Sequence, residues 1–187
     1  MDQNINAFLR VLDATDNSTG GGTASSVAGA MAGGLAAMVA RLSMGKKGLA
    51  SPAHYQTIAA EAEKLSQELF DGGREDAAAF DRVSTAYKMP RDTTDAKELR
   101  KRAIQSAMVQ AAKVPLSNAE RCRQVLELCR NLGNSFNTHA ASDLECATYL
   151  ASAGLKGCAA NVKINLPYIK DKRICKDIKG RLELIIG

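Results

Sequence analysis

The sequence predicts an all-α fold, a single-domain antiparallel helical bundle of about eight helices. Three observations carry that prediction. Apolar residues recur at helical spacing along almost the whole chain, and no stretch alternates convincingly with a period of two. Aromatic residues make up only 4% and there is no Trp, which disfavours a β-sandwich built on aromatic and β-branched side chains. The 187 residues, 45% hydrophobic and 24% charged, suit one globular domain with a sizeable core. No repeat, low-complexity tail or linker divides residues 1–187.

A short first helix after Asp2 is marked by Ile5, Phe8, Leu9 and Leu12. The clearest ladder follows: Val27, Ala30, Met31, Gly34, Leu35, Met38, Val39 and Leu42. Thr23 stands where it can cap that helix and Gly45 where it can close it. Beside the ladder runs a stripe of small residues, Gly29, Gly33, Ala36, Ala37 and Ala40, which lets a neighbouring backbone approach closely. This helix is therefore expected at the centre. Residues 24–40 carry no charge, but their Ala, Gly and Ser content falls short of the roughly 20 strongly apolar residues of a membrane span. Met1 to Asn4 lack the basic n-region of a signal peptide.

Ser51-Pro52 offers an N-cap and an N1 proline for the third helix, which Asp71-Gly72-Gly73 is expected to end. A further helix starts near Arg74 and breaks at Met89-Pro90-Arg91-Asp92. The next runs from Thr94 to about Lys113, where Val114-Pro115 intervenes. Ser117-Asn118-Ala119-Glu120 and Ser142-Asp143-Leu144-Glu145 both fit capping boxes. Ile174, Ile178, Leu182 and Ile185 mark the last helix.

A formal charge of +5 permits an anionic ligand without demonstrating one. Basic residues gather at Lys46-Lys47, Lys97 to Arg102 and Lys170 to Arg181. They read as solvated faces, and with no recognition motif or stacking platform beside them no nucleic-acid partner is expected. Cysteines stand at 122, 129, 146, 158 and 175, with no C-x-x-C pair and only His54 and His139 as imidazoles. Metal-ligand spacing is missing. Several of these thiols read as small core residues of a reduced, cytoplasmic protein.

Four places could carry chemistry. Ser18-Thr19-Gly20-Gly21-Gly22-Thr23 precedes the small-residue helix, so close backbone approach and free helix N–H groups meet there. It fits either a ligand loop or a flexible connection, and matches neither the phosphate-loop nor the G-x-G-x-x-G pattern. Asp76 shares a helix face with Phe80, Val83 and Tyr87, where burial would raise its pKa toward proton-transfer range. Equally, it could be an acid in a first turn, favoured by the helix dipole. Asp143 has the same first-turn reading. Gly157, Asn161 and Asn165, with Lys163, form the fourth group; the two asparagines lie one turn apart and could bond a ring or a partner helix.

Six stretches occur in order over residues 20–166: GGGTASSVAGAMAGGLAAMV, MGKK, DAAAFDRVSTAYKMP, KVPLSNAE, SDLECA and GCAANVKINL. Together they resemble the folate-dependent cyclodeaminase/cyclohydrolase family. The resemblance implies an all-helical homodimer with its folate site near the subunit interface. It implies that Asp76, in the family's D-A-x-x-F/Y motif, is catalytic. By the same resemblance Gly20, Gly21, Gly22, Asp143, Asn161 and Asn165 bind substrate, and Lys46 and Lys47 meet the anionic glutamate tail of the folate. Thr19 stands where the family usually has Pro, and the chain ends at Gly187, sooner than typical members.

The implied partner is a tetrahydrofolate derivative, with or without a polyglutamate tail, and no metal or further cofactor is expected. Two reactions fit: hydrolysis of 5,10-methenyltetrahydrofolate to 10-formyltetrahydrofolate, or cyclodeamination of 5-formiminotetrahydrofolate with release of ammonia. The first is favoured because the chain carries no formiminotransferase domain. A helical scaffold without activity is the remaining alternative.

Overall fold

The structure, a computed structural model, describes residues 3–16 and 19–187. Asp2, expected before the first helix, and Ser18, at the head of the glycine loop, lie outside the described residues. Among those described there are six α-helices and no strand: α1 (Gln3–Leu12), α2 (Gly21–Ser43), α3 (Pro52–Lys88), α4 (Thr94–Gly133), α5 (Ala141–Asn165) and α6 (Lys172–Ile186). Short 3₁₀ turns, Thr138–Ala140 and Leu166–Tyr168, lead into and out of α5. The all-α expectation holds, and the expected eight helices become six because two supposed breaks are crossed.

The first crossing is at Asp71-Gly72-Gly73. Glycine in a helix costs roughly 1 kcal/mol against alanine, yet a Cβ at Gly72 would overlap the Asn118 carboxamide. Asn118 Nδ2 donates to Gly72 O at 3.2 Å. Gly72 marks a close approach of α3 to α4 and Gly73 faces Thr23 and Val27 of α2, so neither is a helix end. The second crossing is at Pro115. Its ring nitrogen cannot donate to Ala111 O, and Asn165 Nδ2 supplies the missing bond at 2.8 Å. With that carbonyl satisfied, α4 continues for 40 residues.

Three expected caps also move. Ser117 to Glu120 lie inside α4, with Asn118 buried. Helix α5 begins at Ala141, entered from a turn in which Asn137 accepts from His139 N, so Ser142 is no cap. Helix α2 begins one residue after Gly20, which frees the Thr23 side chain for another partner.

Helix α2 is the central element, packed against α3, α4 and α5. It is long and apolar enough to cross a membrane by composition, but two thirds of its apolar stretch (67%) is buried against these neighbours. Its small residues explain how. A Cβ at Gly29 would lie 2.5 Å from Cys122 Sγ, and one at Gly33 would lie 2.9 Å from Ala62 O. From α5, a Cβ on Gly154 would come within 2.8 Å of Ser25 O. Ser26 donates to Leu69 O at 2.5 Å and Ser66 to Ala30 O at 2.7 Å. These pairings run antiparallel: the start of α2, the middle of α3 and the end of α5 meet at one end of the bundle.

Candidate functional site

At that end a cavity of about 180 Å³ is lined by Thr19, Gly20, Gly21, Gly22, Asp76, Phe80 and Asn161. Because α3 is continuous through Gly73, Asp76 lies deep within the helix rather than in a first turn. The dipole reading therefore falls away, and its carboxylate is desolvated on the cavity wall. Thr23 Oγ1 donates to Asp76 Oδ2 at 3.1 Å. Burial raises the Asp76 pKa above the ordinary 3.8, and the hydroxyl and backbone N–H of Thr23 hold it back in part.

The glycine loop fits around this carboxylate. A Cβ at Gly22 would overlap the carboxylate group of Asp76, 2.5 Å from Oδ1. The N–H groups of Gly21 and Gly22 fall in the first turn, where no intrahelical acceptor exists. Opposite them, a Cβ at Gly21 would sit 3.4 Å from Asn161 Nδ2, which itself donates to Gly157 O at 2.9 Å. The Thr19 hydroxyl is buried and has no hydrogen-bond partner. A small polar ligand would therefore meet an acid, helix N–H groups and an unpaired hydroxyl within one enclosure. Behind Asp76, hydrogen bonding with Cys122 and burial push the Cys158 thiol upward, so this thiol stays protonated.

The structure gathers Gly20, Gly21, Gly22, Asp76 and Asn161, and it leaves four expected residues out of the cavity. Asn165 lies one turn below Asn161, but its amide is committed to Ala111 O and Asn161 O. Lys46 and Lys47 are exposed beyond the far end of α2, about 34 Å along the axis from the glycines at 1.5 Å per residue. Asp143, in the first turn of α5, is about 27 Å from Asn161 by the same rise. Within one subunit the lengths of α2 and α5 thus set Lys46, Lys47 and Asp143 apart from the glycines.

Three features were missed from sequence. Thr23 read as a cap although it is the partner of Asp76. Thr19 had no assigned role. A larger cavity of about 400 Å³ brings Tyr87, Arg100, Lys101, Gln105, Tyr168 and Lys170 together, from runs that read as solvated. Only their basic character was visible, since three separate elements supply them.

A family model described as formiminotransferase-cyclodeaminase matches residues 4–184. The chain belongs to this family. The methenyltetrahydrofolate cyclohydrolase of Methylorubrum extorquens is 32% identical over 99% of this chain and 89% of its own length. The formimidoyltransferase-cyclodeaminase of Rattus norvegicus is 29% identical over the whole of this chain, which spans only 35% of that protein. Among solved structures, the formiminotetrahydrofolate cyclodeaminase of Thermotoga maritima superposes with a TM-score of 0.82 at 31% identity, over 94% of this chain and 83% of that one. Within the formiminotransferase-cyclodeaminase family, then, this chain is similar both to a cyclohydrolase and to a cyclodeaminase of comparable length.

Proposed function

We propose that this protein is a folate one-carbon enzyme, a 5,10-methenyltetrahydrofolate cyclohydrolase with Asp76 as its general acid and base. The observation that carries the reading is a half-buried carboxylate, raised in pKa, at the wall of a small polar cavity, in a chain matching a cyclohydrolase over nearly its full length. Water attacks the methenyl carbon between N5 and N10, and the Asp76 carboxylate takes its proton. The tetrahedral intermediate then loses its bond to N5 as Asp76 returns that proton to N5 and the hydroxyl proton passes to solvent, giving 10-formyltetrahydrofolate. Such proton transfer contributes about 10²–10⁴-fold, and positioning of the folate by Gly20, Gly21, Gly22 and Asn161 supplies more.

The likeness to the Thermotoga maritima protein favours a second reading, cyclodeamination of 5-formiminotetrahydrofolate. There N10 attacks the formimino carbon, Asp76 takes the N10 proton and delivers it to the formimino nitrogen, and the C–N bond to that nitrogen breaks to release ammonia. Two spectrophotometric assays on purified protein separate the readings: loss of the methenyl chromophore, and its appearance from 5-formiminotetrahydrofolate. Loss above the spontaneous rate, abolished by Asp76→Asn, supports the cyclohydrolase; appearance with ammonia supports the cyclodeaminase. Activity absent from both leaves the scaffold reading.

Homodimerisation belongs to the same proposal. Met31, Met38 and Leu42 form an exposed apolar strip along α2, beside Ile5 and Leu9 of α1, and strips of this kind mark interfaces. Sedimentation of the wild type against Met38→Glu tests it.

A further inference from the structure

The substrate end of a folate that reacts at Asp76 is small; the rest must run somewhere along the surface. Residues 76 and 87 are eleven apart on α3, which is three helical turns on nearly the same face and about 16 Å. Phe80, 52% exposed, stands between them, and Tyr87 is 48% exposed. On the facing side α5 passes from Asn161 into the turn that carries Tyr168. This aromatic track leads from the Asp76 cavity to the larger one.

The larger cavity is built to hold negative charge. The Arg100 guanidinium lies over the Tyr87 ring, with Cζ 5.6 Å from its centre, and donates to Tyr87 O at 3.1 and 3.4 Å. Gln105 ties Tyr168 O to the Lys170 N–H, at 3.1 and 2.8 Å, fixing the loop that presents Lys170. Lys101 is paired with Glu98 at 3.3 Å. Among the described residues, no carboxylate pairs with Arg100 or Lys170, and no acidic side chain lines the cavity. A fixed planar guanidinium beside an aromatic wall and ammonium groups suits a carboxylate carried on an aromatic amide.

We infer that the pocket formed by Tyr87, Arg100, Lys101, Gln105, Tyr168 and Lys170 is the subsite for the carboxylated p-aminobenzoylglutamate end of the substrate. This rests on the folate reading and replaces Lys46 and Lys47 as the tail's partners within one subunit. The pterin end enters the Asp76 cavity, the benzoyl ring lies along Phe80 and Tyr87, and the glutamate carboxylates reach Arg100 and Lys170. Further γ-linked glutamates would extend toward Lys101.

Calorimetric titration with p-aminobenzoyl-L-glutamate and its triglutamyl form tests this without any turnover. Arg100→Gln combined with Lys170→Gln is expected to weaken both fragments about tenfold or more. Added salt should weaken the triglutamyl form more steeply than the monoglutamate. With the folate substrate, the same variant should raise KM by a larger factor than it lowers kcat, and Lys170→Gln alone, which keeps the Arg100–Tyr87 bonds, should raise KM too. Unchanged fragment affinity in the double variant, or a loss found instead in Lys46→Gln with Lys47→Gln, overturns the assignment. The two proposals fail separately. Fragment binding lost in the variant from a protein inactive on both folates removes the reaction and keeps the subsite; turnover with indifferent KM and fragment affinity does the reverse.

Discussion

The two ends of α2 treat polar groups in opposite ways. At its C-terminal end every notable group is partnered. Tyr55, fully buried, accepts from Ala50 N at 3.2 Å and bonds Ser135 O and Oγ at 3.0 and 3.1 Å. Ser43 donates to Val39 O and accepts from Asn137 N, while Asn137 Nδ2 donates to Leu42 O. This network fastens the α2–α3 and α4–α5 connections to each other. At the N-terminal end a carboxylate is desolvated, a threonine hydroxyl is buried unpaired, and glycines of the first turn line a cavity. Folding alone gains nothing from that second arrangement, because buried polar groups without partners cost about 1–3 kcal/mol each. One end is satisfied by the protein itself; the other is arranged for something that binds.

The contrast is tested most severely by Asp76→Asn. Activity should fall by about 10²–10⁴-fold, with the melting temperature at pH 7 unchanged or raised, since a charge is no longer held in a desolvated site. The linkage has a definite sign. Burial raises the folded-state pKa above 3.8, so the folded protein binds the proton more tightly than the unfolded chain. Wild-type stability therefore falls as pH rises from about the unfolded pKa through the higher folded value. Asn should abolish that fall. A variant that loses both activity and stability at neutral pH would make Asp76 a structural residue.

Thr23→Val sharpens the same end. It keeps the side-chain shape and removes one of the donors that lower the Asp76 pKa. The acidic limb of the kcat/KM profile should move to higher pH, with roughly tenfold lower activity on its steep part where the limb moves one unit. An unmoved limb would mean that Asp76 is not the titrating group. At the opposite end, Tyr55→Phe strands Ala50 N–H and Ser135 O, so about 1–3 kcal/mol of stability should be lost on denaturant titration. There kcat should not change.

The sequence carries the helical class, the central place of α2 and the chemistry of Asp76, because periodicity, small-residue stripes and a carboxylate on an apolar face are local patterns. It does not carry what depends on a distant partner. Gly72 and Pro115 look like stops until Asn118 and Asn165 are seen against them, 46 and 50 residues further along. Misjudging those two positions shortens the helices on paper. The family resemblance alone places Lys46, Lys47 and Asp143 at the site; within one subunit the lengths of α2 and α5 set them far from the glycines. The basic pocket was hidden for the same reason, its cations being supplied by α4 and by the turn after α5.

Asn165 gives the smallest effect and the clearest separation of binding from packing. If its amide serves Ala111 O, then Asn165→Ala leaves a carbonyl without a donor and costs about 1 kcal/mol, while KM for the folate stays at the wild-type value. The carbonyl is orphaned only because residue 115 is proline. Pro115→Ala restores a backbone N–H to that position, so in the Pro115→Ala background the loss of Asn165 should cost measurably less than in the wild type. A double-mutant cycle on denaturant midpoints reads that coupling directly. Strictly additive effects would release Asn165 from the helix-repair role, and a raised KM alongside additivity would return it to the substrate.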